Sequence, residues 1–356
     1  MQLLERTLSE IRPLHEETMK KTRAHVNAIN IMTSCGEELQ SLGRLEEMIV
    51  QYAGITKEEC PKPPKKCIVL AAADHGIARQ GISAYPIETT IQMTKSYLLT
   101  KGGNANAMAN FCGADLVVVD VGIAGDLPDL PGLINKKIAY GTMDFTQGVA
   151  MSRKQAIQAL EIGIEIAGEL VREGYRCFSL GEMGIGNTAS SAAIVAAFSG
   201  LPPEKVTGRG TGISDSRLKL KIKVVKEGLA VNRPNPKDAL DVLAKLGGFE
   251  TGALAGVILG AAANRAVVVI DGFNAGAAAL IAFFLNSLSK SYIIPSHLSS
   301  EIGHVKILEI LGMKPYIYMG LRLGEASGAS LGIDILDMAL KTMNDLYLSS
   351  VPPSLN

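Results

Sequence analysis

A carboxylate set among small residues is the first feature able to do chemistry: Gly324-Glu325-Ala326-Ser327-Gly328, inside the segment 319–329. Small neighbours let a carboxylate sit in a partly dry cleft, where lost hydration raises its proton affinity toward that of a general base. The same position also suits a helix-start carboxylate held by the macrodipole. A second segment, Gly181-Glu182-Met183-Gly184-Ile185-Gly186-Asn187-Thr188, has the glycine frame of a triphosphate loop but carries Asn187 where the phosphate-binding lysine belongs. Triphosphate hydrolysis is therefore not expected. Gly184, Gly186 and Ala189 also fit GxGxxA, a weak dinucleotide signal when it stands alone. The physical content is narrower: free N–H groups at a glycine-lined helix start bind one phosphate, and a mere packing turn is the plain alternative.

Other candidates are less direct. Gly208-Arg209-Gly210-Thr211-Gly212 leads to Lys219, Lys221 and Lys223. Two of these lysines read as a solvated face, and one is left to reach a phosphate. Asp74-His75-Gly76 sits at an expected strand end, where a histidine is more often scaffold than catalyst. Two of the five histidines, His297 and His304, are spaced wrongly for a helical pair and have no evident third ligand, so no metal is expected. The five cysteines, at 35, 60, 67, 112 and 177, form no CxxC pair and read as reduced structural thiols.

These residues need a frame. Continuous apolar runs at 68–73, 116–121, 177–180, 267–270, 292–294 and 316–319 read as strands buried on both faces, with helical stretches between most of them. The expected fold is α/β: a doubly wound, mainly parallel, Rossmann-like sheet with a smaller helical domain from the chain termini. The large domain is expected over 26–310 and the smaller over 1–25 plus 311–356. Leu3, Leu4, Leu8, Ile11 and Leu14, then Leu39, Leu42, Leu45 and Met48, have helical spacing, as does the stretch 330–347. Each expected strand is followed by glycine or polar residues: Asp74-His75-Gly76, Gly122, Gly181–Gly184, Asp271-Gly272, Ser296-His297 and Gly320. In open parallel sheets ligands bind at the carboxyl ends of strands, so these six points are expected to converge.

Composition bounds the function. The 35 basic and 35 acidic residues cancel, which leaves no net positive field to draw nucleic acid or an anionic membrane. There is no Trp, and only 5% of residues are aromatic, so base-stacking platforms are not expected. The apolar stretch 253–282 is broken by Asn264, Arg265, Asp271 and Asn274, and the first 21 residues lack the apolar centre of a secretory signal. A cytoplasmic small-molecule enzyme is expected.

Taken together and in order, AADHGI, GEMGIGNT, GRGTGISD, DGFNAGAAAL, SHLSSEIGH and LRLGEASGA resemble the nicotinate-nucleotide:5,6-dimethylbenzimidazole phosphoribosyltransferase family, from about residue 10 to 345. The resemblance implies transfer of the 5-phosphoribosyl group from nicotinate mononucleotide to a benzimidazole-type base, with inversion at C1′, to make the lower ligand of cobamides. It implies Glu325 as the catalytic base and Glu182 as a second catalytic glutamate, beside the ribose or the reacting centre. Gly184, Gly186, Asn187, Lys221, Ser299 and Gly324 are implied around the nucleotide and its phosphate, and Ser83, Tyr85, Gln92 and Met93 around the acceptor. No cofactor or metal is implied, and a homodimer is. Ser214 before Asp215, Ser299-Ser300-Glu301-Ile302-Gly303-His304 and Gly324-Glu325-Ala326-Ser327-Gly328-Ala329 depart slightly from the family pattern. The acceptor therefore stays open to a purine or a phenol, and the chain to a place in a pair of unlike subunits.

Overall fold

The computed structural model describes residues 2–33 and 42–350, so Cys35 and Leu39 lie outside the described residues. The other four cysteines are free thiols. Six strands form one sheet: β1 (Lys66–Ala73), β2 (Asp115–Gly122), β3 (Leu133–Asn135), β4 (Cys177–Met183), β5 (Val267–Ile270) and β6 (Ile293–Pro295). All neighbours pair in parallel, in the order β3-β2-β1-β4-β5-β6. The expected doubly wound α/β sheet is what folds. Val267, Val268, Val269 and Ile270 are fully buried, as a strand covered on both faces requires.

Two strand expectations need correction. The run at 316–319 is not a strand of the sheet. Only one isolated bridge, Ile317 to His297, forms there. Pro315 and the three-residue length of β6 explain this, because the segment has just the short chain after β6 to pair with: the Tyr316 and Ile317 amides both donate to the Ser296 carbonyl. Conversely, β3 went unread because Leu-Ile-Asn is too short to show a period. Near the N-terminus, Pro13 separates the helices Gln2–Glu10 and Glu16–Thr33, and Ile11 and Leu14 lie in the break.

The apolar stretch after residue 249 becomes two buried helices, Phe249–Ala263 and Phe273–Leu285, flanking β5 in sequence. No helix among the described residues is long and apolar enough to cross a membrane. Helix Phe249–Ala263 packs tightly on helix Arg153–Arg172, and glycine makes that approach possible. A Cβ at Gly163 would sit 1.8 Å from the Ala253 carbonyl oxygen and 2.7 Å from the Val257 nitrogen. Both obstacles are backbone, so the helices must move apart. Gly163→Ala is expected to destabilise the fold by about 1–3 kcal/mol through overpacking, lowering the thermal midpoint by roughly 5 °C. Differential scanning calorimetry that shows no loss would contradict the packing.

The closing helix, Ser327–Ser350, rests on β4, β5 and β6 and also on helices Leu45–Thr56 and Asn104–Cys112. It thereby fixes the residues just before it, which include Glu325, over the carboxyl end of the sheet.

Candidate active site

A cavity of about 600 Å³ opens at the carboxyl ends of β4, β5 and β6. Glu182, Gly184, Asn187, Ser299, Gly324, Glu325, Tyr85 and Met93 all line it. A narrow cleft adjoins it, sharing Gly184, Ile185, Asn187, Thr188 and Thr211 with the cavity wall and adding Ser83, Gly186, Arg209 and Lys221. Gln92 lines neither and is solvent-exposed.

Four of the six expected points reach the cavity: Glu182 to Gly184, Asp271-Gly272, His297 and Gly320. The other two do not converge. Gly122 folds back onto its own strand end, donating its N–H to the Asp120 carboxylate. Asp74 and His75 turn inward as supports. Asp74 accepts from the Thr90 hydroxyl at 2.6 Å and from the Ala124 amide at 2.8 Å. The Thr90 oxygen in turn accepts from the Ile185 amide, and the Ile185 carbonyl accepts from the His75 amide. The turn Gly184–Gly186 is thus tied from behind to the end of β1. His75 pairs with Glu250 at 2.8 Å, both buried, which assigns it to the scaffold.

Glu325 stands on an unusual stretch of backbone. Gly324, Glu325 and Ala326 have φ of +85°, +54° and +60°, three left-handed residues in a row, of which the two non-glycine ones each cost about 1–2 kcal/mol. The start of the closing helix holds the turn in place: Asp271 accepts from the Gly328 and Ala329 amides at 2.7 and 3.0 Å, capping that helix, and Ala326 is fully buried. A larger residue at Gly324 would be strained at φ +85° and would displace the Glu182 carboxylate, since a Cβ there would lie 2.5 Å from Glu182 Oε1. This close approach brings the two glutamates to one wall of the cavity.

Electrostatics separates the two carboxylates. Burial raises the proton affinity of Glu325, opposed by the nearby Tyr97 hydroxyl and by the Ala105 and Asn104 amides; Asp271 adds a smaller raising contribution. Burial also pushes Glu182 well above the ordinary carboxylate range, opposed by a hydrogen bond from Asn274 and reinforced by the charges of Asp271, Glu250 and Glu325. The Asn187 amide also donates to Glu182. Three carboxylates around one small volume cannot all ionise at little cost, and of the two glutamates Glu182 is the one whose proton affinity is raised further.

The cleft carries the opposite charge. Of the three lysines, only Lys221 is buried, at 2% exposure, while Lys219 and Lys223 face solvent. Its ammonium donates to Thr188 Oγ1 at 2.8 Å and to the Gly208 carbonyl at 3.1 Å. Burial lowers its proton affinity to a pKa of about 8, against a raising contribution from Glu301. Glu301 itself accepts from the Gly210 amide at 2.7 Å, which shapes the glycine loop over the cleft. Helix Asn187–Ser199 begins beside Lys221, with Gly186 as its N-cap. A helix start and a buried ammonium together are groups of the kind that bind a single phosphate. Among the described residues, no three His, Cys, Asp or Glu side chains are placed to hold a metal ion.

Asn274, Glu301 and Tyr97 are site residues that the sequence did not single out. The first two lie in segments with visible glycine and acid patterning, while Tyr97 carries no signal at all.

A sequence model of the DBI_PRT family, described as phosphoribosyltransferase, matches residues 11–349. The chain belongs to this family. Two relatives named nicotinate-nucleotide–dimethylbenzimidazole phosphoribosyltransferase are similar over nearly the whole length. That of Chloroflexus aggregans is 47% identical over 97% of this chain and 96% of its own. That of Geobacter sulfurreducens is 44% identical over 97% and 96%. The crystal structure of CobT from Thermus thermophilus superposes with a TM-score of 0.86 at 37% identity, covering 92% of this chain and 96% of its own. Membership of the phosphoribosyltransferase family thus agrees with the six-motif resemblance read from the sequence.

Proposed function

We propose that this protein transfers the 5-phosphoribosyl group of nicotinate mononucleotide to a benzimidazole-type base, releasing nicotinate and forming the α-riboside 5′-phosphate that serves as a cobamide lower-ligand precursor. Beyond family membership, one observation supports this reading most: a narrow cleft lined by the buried ammonium of Lys221 joins a cavity walled by the buried carboxylates Glu325 and Glu182.

The donor is already activated. Nicotinate bonded to C1′ through its ring nitrogen is a pyridinium, so it leaves as a stable neutral ring nitrogen and needs no general acid. The acceptor is the partner that needs help. Glu325 takes the proton from one ring N–H of the base as the other ring nitrogen forms the new bond to C1′ from the face opposite nicotinate. The old C1′–N bond breaks, the anomeric centre inverts from β to α, and the proton on Glu325 passes to water. Glu182, beside the reacting carbon, hydrogen-bonds the ribose. Lys221, with Gly184, Gly186 and Asn187, holds the phosphate, and Ser299 and Gly324 border the nucleotide. Tyr85 and Met93 wall the acceptor side of the cavity. Ser83 lies in the phosphate cleft and Gln92 outside both, so Gln92 fits the acceptor role poorly in this conformation.

The relatives' names favour a benzimidazole over a purine or phenol as acceptor. The same likeness extends the proposal to a cytoplasmic homodimer. The direct test incubates purified protein with nicotinate mononucleotide and a panel of 5,6-dimethylbenzimidazole, benzimidazole, adenine and phenol, with nicotinate followed by chromatography. Release is expected, fastest with the benzimidazoles; none with any acceptor from folded protein would overturn the reading.

A further inference from the structure

Tyr97 is one of the largest fully buried side chains, at 2% exposure, yet its hydroxyl makes no hydrogen bond of good geometry, and the Glu325 carboxyl is the acceptor within its reach. A buried hydroxyl without a well-placed acceptor is costly, so it calls for an explanation. The complementary atom lies beside it. Glu325 Oε2 is likewise buried and unpartnered, and the two side chains neighbour each other. One group can only accept when ionised and the other can donate, so a small closing movement satisfies both.

The backbone around Tyr97 is built to hold the ring still. It sits in a single π-helical turn, Ser96–Thr100, that follows helix Thr89–Lys95, a local irregularity that often marks functional positions. Its carbonyl accepts from the Asn106 side-chain amide at 2.9 Å, and Asn106 also accepts from the Gly103 amide at 3.2 Å. A Cβ on Gly103 would fall 2.2 Å from the ring. The ring is therefore wedged between the start of helix Asn104–Cys112 and the cavity wall. The titratable groups facing Glu325 are Asp271, Glu182 and Tyr97. The charge of Asp271, and that of Glu182 when it is ionised, disfavours the charge of Glu325, whereas Tyr97 brings a hydroxyl proton whose hydrogen bond favours it.

We infer that Tyr97 is a positioning residue for the base: its hydroxyl holds the Glu325 carboxylate in the attacking orientation and in the ionised form when the acceptor enters. The inference rests on the role proposed above for Glu325.

Tyr97→Phe keeps the ring and removes only the hydroxyl. In steady-state kinetics the acid limb of the pH profile is expected to move up by about one unit, the size expected from losing one hydrogen bond to a charged group. The plateau kcat should fall roughly tenfold, and the KM for nicotinate mononucleotide should change less than twofold. Added to Glu325→Gln, the same change should cost nothing further, because Tyr97 acts through the carboxylate. Replacing Tyr97 by 3,5-difluorotyrosine, an isosteric and stronger donor, should move the limb down instead, and this variant serves if the Phe protein folds poorly. The carboxyl titration of Glu325, followed by carbon NMR and assigned with Glu325→Gln, reads the same shift without turnover, so it stands apart from the test of the reaction itself. An unmoved Glu325 titration in either folded variant overturns the inference.

Discussion

Glu325→Gln is expected to lose about 10²–10⁴-fold in kcat, the usual weight of a positioned general base, while nicotinate mononucleotide still binds within a few-fold of the parent affinity. Glutamine keeps the shape of the side chain and its place in the left-handed turn, so the capped helix start at Gly328 and Ala329 has no reason to move. What disappears is the only step the acceptor cannot perform unaided. In the parent enzyme, activity should fall as pH drops through the Glu325 pKa, which burial sets above the ordinary carboxylate value. Single-turnover nicotinate release and equilibrium binding of the mononucleotide, measured on the same sample, separate chemistry from binding. Near-parental turnover would remove Glu325 as the base.

Lys221→Met is expected to act on the other substrate and in two directions. Loss of a buried charge-assisted hydrogen bond to phosphate weakens donor binding by about 10–100-fold. In the parent, burial lowers the Lys221 ammonium to a pKa of about 8 when no donor is bound. Below that value donor affinity is flat with respect to this group; above it the charged form thins, and affinity falls up to tenfold per pH unit until the pH reaches the higher pKa that the lysine has beside bound phosphate. The Met variant should show no such fall.

Stability moves the opposite way. The folded pKa lies below the ordinary 10.5, so the charged lysine destabilises the fold fully below about pH 8, and that cost fades as pH rises toward 10.5. A methionine of similar length removes the cost and is expected to add on the order of 2 kcal/mol at neutral pH. Calorimetry and binding together test this. A variant that is both less stable and undiminished in donor affinity would show that Lys221 serves the fold rather than the phosphate.

The sheet was legible where strands are long and apolar. The runs behind β1, β2, β4 and β5 need no partner to be recognised, because burial on both faces writes itself into composition. β3 and the 316–319 segment failed for a shared reason: both are partly exposed, so burial on both faces leaves no mark in their composition, and pairing there is decided by which edge is free. In the site, Glu325 and Glu182 stood out through their glycine neighbours. Composition could not choose among Lys219, Lys221 and Lys223, since burial of one lysine depends on the loop at Gly208 and on Thr188, which pack over it in space. Asp74 and His75 were visible but misplaced, being turned behind the phosphate turn rather than into the cavity. Tyr97 was invisible, because its partner lies beyond the whole central sheet in sequence.

That separation along the chain bears on how the molecule is made. The phosphate cleft is complete by Lys221 apart from its Glu301 brace, whereas Glu325 is seated only when the closing helix Ser327–Ser350 settles on β4, β5, β6 and on Leu45–Thr56. A ribosome working from the first residue to the last delivers the donor cradle long before the base, and folding that proceeds with synthesis follows that order. A chain stalled or clipped ahead of its last helix is thus not a slow version of the enzyme. It lacks the packing that seats Glu325, and with it the proposed base, whatever donor contacts survive.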